Sequence, residues 1–249
     1  MIAAQLYTLR EFLKTPEDIA ATLRKVREIG YEAVQLSALG PIETHRLKEI
    51  LDENGLVVCA THIGWDRLQN DIHGVIAEHR ELACPHVAIG GMPGQYRTAE
   101  GYPRFAKEAS DVARALADAG FTFSYHNHDF ELERFGAKTG LDILIDDSDS
   151  RLLFEIDTYW IQHGGGDPAQ WIRKVKGRIR LVHLKDMTIK DRQVRMAEVG
   201  EGNLNWPAIL EACREAGVEW YIIEQDICDR DPFESLAISL KNVKAMGIQ

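Results

Sequence analysis

The chain has 249 residues with a net charge of −10, a hydrophobic fraction of 45% and a charged fraction of 27%. This composition is that of an ordinary soluble globular protein, and it disfavours nucleic acid or an anionic membrane surface as a partner, because both require a basic face. No apolar run approaches the roughly 18 residues of a membrane span, and the early charges of the N-terminal stretch do not fit a signal peptide. The four cysteines form no CxxC pair, so we expect reduced thiols and a cytoplasmic location.

Eight short apolar runs alternate with amphipathic stretches along the chain and predict eight buried strands. Their starts lie 25 to 41 residues apart, which is enough for a strand, a helix and two loops. In chain order, the predicted strands cover residues 2–7, 31–37, 56–62, 86–91, 121–127, 152–158, 179–185 and 220–225.

Helix starts are marked between these runs. Thr15 precedes Pro16 and two acidic residues, a pattern that favours an N-cap followed by a proline in the first turn. Asp167 and Asp231 also stand directly before a proline. The fifth helix, over residues 139–147, is predicted to be short.

The alternation of strands and helices predicts a parallel sheet that is covered by helices. Eight such units in about 250 residues fit one α/β domain, a single (β/α)8 TIM barrel over residues 1–249. An open doubly wound sheet is the alternative, and it normally carries a glycine-rich phosphate loop after its first strand. The turn here reads LYTLREF, without glycine, which favours the barrel.

Ionisable side chains gather at the ends of four consecutive predicted strands. The active site of such a barrel lies at the carboxyl ends of its strands, and side chains two positions apart on a strand share a face. Strands five to eight end in the pairs His126 and His128, Glu155 and Asp157, His183 and Lys185, and Glu224 and Gln225.

Each of these residues alone could be a satisfied core histidine or a loop cap, but their coincidence on neighbouring strands favours a divalent metal site. A mixed set of imidazoles and carboxylates suits Mn²⁺, Zn²⁺, Co²⁺ or Fe²⁺ better than Ca²⁺. We expect one ion, with Mn²⁺ first and Zn²⁺, Co²⁺, Fe²⁺ or Mg²⁺ as alternatives.

The segments FEIDTYW, LVHLKDM, AEVGEGNLNW and YIIEQD resemble successive signatures of the sugar-phosphate isomerase/epimerase superfamily. These are the xylose isomerase-like TIM barrels, which include endonuclease IV, inosose dehydratases and ketose 3-epimerases. The resemblance extends from QLYTLR at strand one to the last strand, and it implies the fold and a metal site without implying a particular substrate.

The resemblance also implies a ligand set. In the epimerases of the superfamily, a Glu, an Asp, a His and a Glu on strands five to eight hold the metal, and the last three match Asp157, His183 and Glu224. The first Glu has no counterpart, because the chain reads His-Asn-His where the family often reads Glu-Asn-His. The expected fourth ligand is therefore His126, the alternative is Glu131 reaching back from the loop, and weak metal binding is the third option.

For the reaction, the resemblance implies proton abstraction beside a carbonyl that a metal polarises. The candidate catalytic residues are Glu224, His128 and Lys185. Reprotonation would make the protein an isomerase or epimerase of a sugar, a sugar phosphate or a cyclitol. Loss of a β-hydroxyl would instead make it an inosose dehydratase-like lyase, and loss of the chemistry would leave a non-catalytic sugar-binding barrel.

The expected partner is a small-molecule sugar or cyclitol, with no nucleic acid and no membrane, and homo-oligomerisation is left open. Aromatic faces and imidazoles near the strand ends suit a polyol, although loop packing would also account for them. The candidate substrate-binding residues are His62, Trp65, Glu155, Trp160 and His163.

A phosphate or nucleotide site is not evident. The GEGNLNW segment after strand seven lacks a following P-loop lysine and is interpreted as a shaped loop over the pocket, and the glycines at 164–166 have no dinucleotide context. The only candidates for a phosphate contact are Lys185 and Arg10, and Lys185 could instead be a surface lysine that pairs with Asp186.

Overall fold

Strands and helices alternate along the computed structural model, which describes residues 1–248. The strands are β1 (Ile2–Gln5), β2 (Ala33–Leu36), β3 (Val57–His62), β4 (His86–Ile89), β5 (Thr122–His126), β6 (Arg134–Phe135), β7 (Lys138–Thr139), β8 (Leu152–Asp157), β9 (Ile179–Leu184), β10 (Asp186–Lys190), β11 (Gln193–Ala197) and β12 (Trp220–Ile223). The α-helices are α1 (Pro16–Ile29), α2 (Thr44–Glu53), α3 (Trp65–Asn70), α4 (Ile72–Glu81), α5 (Gly101–Asp118), α6 (Gly140–Asp147), α7 (Thr158–His163), α8 (Pro168–Lys174), α9 (Trp206–Ala216) and α10 (Pro232–Ala245).

Eight of these strands close into a barrel in the order β1, β12, β9, β8, β5, β4, β3, β2. Every neighbouring pair in the barrel is parallel, and each barrel strand lies within the run predicted for it. The predicted (β/α)8 barrel is therefore confirmed. The register pairs His126 with Glu155 and Asp157 with His183, so the ionisable strand ends become lateral neighbours.

Two antiparallel hairpins outside the barrel were not predicted from the sequence. The first pairs β6 with β7, and the second pairs β10 with β11 directly after the seventh barrel strand. The turn of the second hairpin is Asp191 and Arg192, both with positive φ, as a two-residue hairpin turn with this twist requires. The predicted loop after strand seven is thus preceded by a hairpin.

The predicted helix starts are confirmed by side-chain caps. Thr15 and Asp18 form a reciprocal capping box at the start of α1, and Asp167 and Asp231 cap α8 and α10, each followed by a proline. These caps satisfy backbone donors that have no partner within the helix. The short fifth helix of the prediction corresponds to α6.

The described residues 1–248 contain no helix that is long and apolar enough to cross a membrane. The four cysteines are Cys59, Cys84, Cys213 and Cys228, and all of them are free thiols. Burial is the largest cause that raises the pKa of Cys59, Cys84 and Cys213. These three behave as small apolar core residues rather than as reactive thiols.

Candidate metal centre

Four ligand-type side chains meet at the carboxyl ends of four neighbouring barrel strands. His126, Asp157, His183 and Glu224 each offer one atom, and these atoms lie within 4.8 Å of one another. All four side chains are buried. Ligand atoms roughly 2.0–2.2 Å from one ion lie within about 4.4 Å of each other, so the cluster has nearly the dimensions of a single metal site.

Two atoms of this cluster have no hydrogen-bond partner among the described residues. His183 Nδ1 and Glu224 Oε2 are buried and 2.8 Å apart, yet their alignment is not that of a hydrogen bond. Lys185 Nζ lies 2.7 Å from Glu224 Oε2 as an ion-pair partner. Leaving buried polar atoms unpaired is costly. A cation between them would satisfy both, and the mixed nitrogen and oxygen donors fit a divalent ion such as Mn²⁺ or Zn²⁺.

The far side of the His183 ring is held by a buried polar network. His183 Nε2 lies 2.6 Å from Gln35 Oε1 and 3.2 Å from Glu155 Oε1. Gln35 Nε2 donates to Glu155 Oε1 at 2.8 Å, and His62 Nε2 lies 2.7 Å from Glu155 Oε2. Partners on Nε2 orient the ring and leave Nδ1 for the cluster, which is the usual support of a metal-binding imidazole.

The charges around Glu155 explain how a carboxylate is tolerated at this depth. Burial raises its pKa, but the adjacent His183 and His62 more than offset burial and hold the pKa well below its usual range. Glu155 is therefore an anion that contacts the candidate ligand His183, and it lies behind His62 rather than on the cavity wall.

The two imidazoles of the cluster differ in protonation. Burial and the neighbouring His183 lower the pKa of His126. Burial also acts to lower the pKa of His183, but Glu155 and Glu224 raise it well above its usual range. A metal at the cluster would therefore displace a proton from His183, because a ligating imidazole nitrogen must be unprotonated.

Lys185 lies among three carboxylates instead of on the surface. Its Nζ is 3.1 Å from Asp157 Oδ2, 2.7 Å from Glu224 Oε2 and 2.9 Å from Asp226 Oδ1. Burial acts to lower its pKa, but the three carboxylates raise it well above its usual range, so Lys185 is a permanent cation. Its suggested pairing with Asp186 is wrong, because the Asp186 carboxylate binds backbone N–H groups of a following loop.

His128 lies next to the cluster, and its Nδ1 is buried without a hydrogen-bond partner. Its ring stacks on Phe130 with centroids 5.4 Å apart. A Cβ at Gly91 would lie 3.0 Å from His128 Cε1, and Gly91 has a φ of +154°, so a glycine is needed for this approach. Burial, His126 and Lys185 lower the pKa of His128 to about 3, so the imidazole is neutral at neutral pH.

Glu131, the alternative fourth ligand, lies outside the cluster. The Tyr125 hydroxyl donates to Glu131 Oε1 at 2.5 Å, and the His128 backbone N–H donates to Oε2 at 2.8 Å. Burial raises the pKa of Glu131 to about 7. The structure thus brings His126 to the cluster and uses Glu131 to hold the segment after β5.

A cavity of about 550 Å³ opens onto the cluster. Seven predicted site residues line it, namely His62, Trp65, His126, His128, Trp160, Lys185 and Glu224. His163 does not, because it is exposed and its Nδ1 lies 2.9 Å from Asp129 Oδ2. The cavity is large enough for a monosaccharide and presents both aromatic faces and charged groups.

The model of one family, the xylose isomerase-like TIM barrel, matches residues 23–240 of the chain. The chain belongs to this family.

One curated protein and several solved structures are similar to this chain. The rhizopine catabolism protein MocC of Rhizobium meliloti is 25% identical over 258 aligned positions, covering 84% of this chain and 74% of MocC. A sugar phosphate isomerase/epimerase from Parabacteroides distasonis superposes with a TM-score of 0.84 at 20% identity, covering 99% of this chain and 94% of that one.

Two further structures differ in the activity that they are named for. An L-ribulose 3-epimerase has a TM-score of 0.73 at 19% identity, covering 98% of this chain and 93% of its own. The probable 3-DHS dehydratase AsbF from Bacillus anthracis has a TM-score of 0.71 at 13% identity, covering 98% of both chains. At such identities the structural likeness shows the fold alone.

Two residues of the candidate site in this xylose isomerase-like barrel were missed by the sequence reasoning. Asp226 lines the cavity and pairs with Lys185, and the available signal was a carboxylate directly after the last predicted strand, which covers residues 220–225. Gln35 stands near the end of the second predicted strand, but its contact with His183 joins residues 148 positions apart and no local pattern indicates it.

Proposed function

We propose that this protein is a metal-dependent isomerase or epimerase of a sugar or cyclitol that removes a proton next to the carbonyl of its substrate. The observation that carries the proposal is the buried cluster at the floor of the cavity, where four ligand-type atoms lie within 4.8 Å of one another and no hydrogen bond joins His183 Nδ1 to Glu224 Oε2. The names of two structures with the same fold, a sugar phosphate isomerase/epimerase and an L-ribulose 3-epimerase, are consistent with it. We also propose the cytoplasmic location that the free cysteines suggest.

The ion would be held by His126, Asp157, His183 and Glu224, and Mn²⁺ is the first candidate. When bound, such an ion polarises a carbonyl and acidifies the carbon-bound proton beside it. The remaining requirements are a base for this proton, a positive charge for the developing oxyanion, and groups that orient the hydroxyls.

Glu224 is the proposed base. It lines the cavity, and although burial raises its pKa, Lys185 and His183 lower it well below its usual range, so the carboxylate is ionised. A positioned base contributes typically about 10²–10⁴-fold to the rate. His128 is the second candidate, because its ring lines the cavity and its imidazole is neutral.

Lys185 supplies the fixed positive charge. Its Nζ stands 2.7 Å from Glu224 Oε2 and lines the cavity, so it is next to the place where the proton is removed. A preorganised cation stabilises an oxyanion without reorganisation as the charge grows. Trp65 and Trp160 would pack against the carbon skeleton, and His62 would contact a hydroxyl.

A dehydratase is the second candidate, and strand five is the observation that favours it. His126 stands where the related epimerases carry a glutamate, so this barrel lacks their symmetrical pair of carboxylate bases on strands five and eight. A single base is sufficient for proton removal followed by loss of a β-hydroxyl. The fold is shared with a protein named as a probable 3-DHS dehydratase.

Solvent exchange separates these reactions. Metal-loaded protein would be incubated in D₂O with a panel of ketoses and inososes, and the carbon next to the carbonyl would be followed by NMR. We expect deuterium at that carbon, with inverted or relocated stereochemistry for an epimerase or isomerase and loss of water for a dehydratase.

The exchange should disappear after chelation and in Glu224→Gln. Glu215→Gln, at an exposed glutamate on α9 that pairs with Arg173, is the matched control and should retain full exchange. If no substrate exchanges although elemental analysis shows one ion per chain, the protein is a sugar-binding barrel and the enzymatic proposal is wrong.

A further inference from the structure

Arg97 lies on the cavity wall and has no carboxylate partner among residues 1–248. We infer that it binds an anionic group of the substrate, a carboxylate or a phosphate, at the end of the molecule that is remote from the reacting carbonyl. This inference rests on the proposed function and narrows its substrate class to acidic derivatives of sugars or cyclitols. It depends on the free edge of the guanidinium group, its rigid attachment, and its position in the cavity.

One lysine and one arginine of residues 1–248 line the cavity, and they differ in their partners. Lys185 Nζ lies within 3.1 Å of three carboxylates, as described above. Arg97 forms no ion pair with any carboxylate of the described chain. Arg10, the other residue that the sequence suggested for a phosphate contact, does not line the cavity. An anionic group in the cavity would therefore find an unpaired positive charge at Arg97.

The guanidinium group of Arg97 has one edge occupied and one edge free. Its Nε and Nη2 both donate to the carbonyl oxygen of Met92, at 3.2 and 2.9 Å. The other edge is formed by Nη1 and Nη2, and no acceptor from residues 1–248 binds there. Two parallel N–H groups of this kind match the two oxygens of a carboxylate or of a phosphate. The free edge is thus a bidentate donor for an anion.

The guanidinium group is held in place by the protein itself. Its central carbon lies 3.5 Å from the centroid of the Phe130 ring, which is a cation–π contact. The loop that carries Arg97 is also fixed, because the Met92 N–H donates to the Tyr125 hydroxyl at 3.2 Å and the neighbouring Tyr96 is buried. A side chain that is already ordered loses little conformational entropy when a ligand binds. Arg97 is therefore preorganised for an anion.

Arg97 and the carboxylates of the cavity lie on opposite sides of the barrel. In the ring of eight strands, β9, β8 and β5 separate β12 from β4, so β12 and β4 face each other across the barrel. Arg97 follows β4, whereas Glu224 and Asp226 follow β12. The reacting carbonyl would lie near Glu224 and the candidate metal site. The far end of the same substrate would then lie near Arg97, which is why we place the anionic group there.

The net charge of the chain makes this local contact decisive. At −10, the protein as a whole offers an anion no general electrostatic attraction. A preference for an anionic ligand must therefore come from a local cation, either Arg97 or an ion at the cluster. Substitution of Arg97 separates these two sources, because it leaves the four ligand-type residues of the cluster unchanged.

Matched ketoses test the inference by turnover. The exchange experiment would be run with D-fructose, D-fructose 6-phosphate and D-fructuronate, which carry the same ketone and differ at the far end of the carbon chain. We expect kcat/KM for at least one of the two anionic ketoses to exceed that for D-fructose by about 10-fold or more, since hydrogen bonds between charged groups are the stronger ones. The ketose that shows the gain identifies the anion as a phosphate or a carboxylate.

Calorimetry tests the same contact without turnover. D-sorbitol, D-sorbitol 6-phosphate and D-gluconate have no ketone or aldehyde, so their binding to the Mn²⁺-loaded protein can be measured at equilibrium. We expect the Kd of at least one of the two anions to be lower than that of D-sorbitol by about 10-fold or more. Equal Kd values for all three compounds would overturn the inference, and this comparison on the wild type requires no variant.

Variants assign the preference to Arg97. In Arg97→Gln the difference in Kd between the anions and D-sorbitol should disappear, whereas Arg97→Lys should keep part of it, because lysine retains the charge without the planar pair of donors. The matched control is Arg104→Gln, at an exposed arginine on α5 that packs on Tyr96 outside the cavity. This control should keep the full difference. An undiminished preference for anions in Arg97→Gln would overturn the inference.

Failure of the inference and failure of the proposed function give different results. Exchange with D-fructose that is as fast as exchange with both of its anionic counterparts would overturn the inference and leave the proposed isomerase in place. No exchange with any ketose or inosose, at one ion per chain, would refute the proposed enzyme. In that case a gain in affinity that depends on Arg97 would still support the anion site.

Discussion

The buried ammonium group of Lys185 is the most informative residue to remove. In Lys185→Met the side chain keeps most of its volume, but Asp157, Glu224 and Asp226 lose the cation that lies within 3.1 Å of each. Removing one partner of a buried ion pair costs about 3–5 kcal/mol, because the other charge is left uncompensated. The loss should be at this level or above it, since three carboxylates are affected at once.

This loss of stability corresponds to a measurable decrease in melting temperature. For a chain of 249 residues the entropy of unfolding is about 0.5 kcal/mol/K, so about 3–5 kcal/mol corresponds to a melting temperature lower by about 6–10 °C. Calorimetry of the metal-free variant in the presence of a chelator should show this decrease in melting temperature. Adding Mn²⁺ should recover more stability in the variant than in the wild type, because the ion supplies the charge that Lys185 supplied.

The matched control is Lys190→Met. Lys190 is an exposed lysine on β10 that pairs with Asp229, and its side chain is 63% exposed. A screened surface pair contributes little, so this variant should melt close to the wild type with and without the ion. Equal melting temperatures for Lys185→Met and Lys190→Met in the chelator would refute the view that Lys185 holds the three carboxylates together.

Three further predictions follow from the same geometry. His183→Ala and His126→Ala should lose stoichiometric metal in elemental analysis, whereas Glu131→Ala should retain it, because both oxygens of Glu131 have partners outside the cluster. Metal retained in His126→Ala but lost in Glu131→Ala would make Glu131 the fourth ligand, and metal retained in His183→Ala would refute the cluster. Trp160→Phe keeps an aromatic ring and removes the indole N–H donor, so KM should rise about 2–10-fold with little change in kcat if this N–H binds the substrate. An unchanged KM would exclude a hydrogen bond between the indole and the substrate. The pKa of Glu131 is raised to about 7 by burial, so the wild type loses stability as the pH rises from about 4.5 to about 7, and Glu131→Gln should gain relative to it by up to about 3 kcal/mol over that range; urea titrations at pH 5 and 7 that show the same difference would contradict this.

The barrel and most of its site could be predicted because they depend on short-range regularities. The period of two along a strand places His126 with His128 and Glu155 with Asp157, and the number of units predicts closure of the sheet. The positions of the strand ends were predicted less accurately. For example, β2 covers only Ala33–Leu36 of the predicted run 31–37. Apolar residues at the edge of a run also pack in turns, so hydrophobicity alone does not mark where a strand ends.

The remainder depends on contacts between residues that are distant in sequence. Lys185 points toward Asp226 rather than toward the adjacent Asp186. The reason is that the segment after the neighbouring strand β12 places the Asp226 carboxylate next to it. The β10–β11 hairpin has no glycine in its turn, so its strongest sequence signal is missing. His163 faces Asp129 instead of the cavity because α7 turns it outward, and no local pattern shows that direction.

The order of strands in the barrel also bears on how the protein could be re-engineered. β5, β8, β9 and β12 are consecutive around the barrel, and the four ligand-type residues lie on the first three of these strands and directly after β12, whereas β1 to β4 form the opposite half. The segments after β3 and β4 still contribute much of the cavity wall, including Trp65, Met92 and Arg97. Loops on that half can therefore be exchanged or randomised to change substrate preference, while the residues that would bind the ion stay on a separate, unaltered half of the framework.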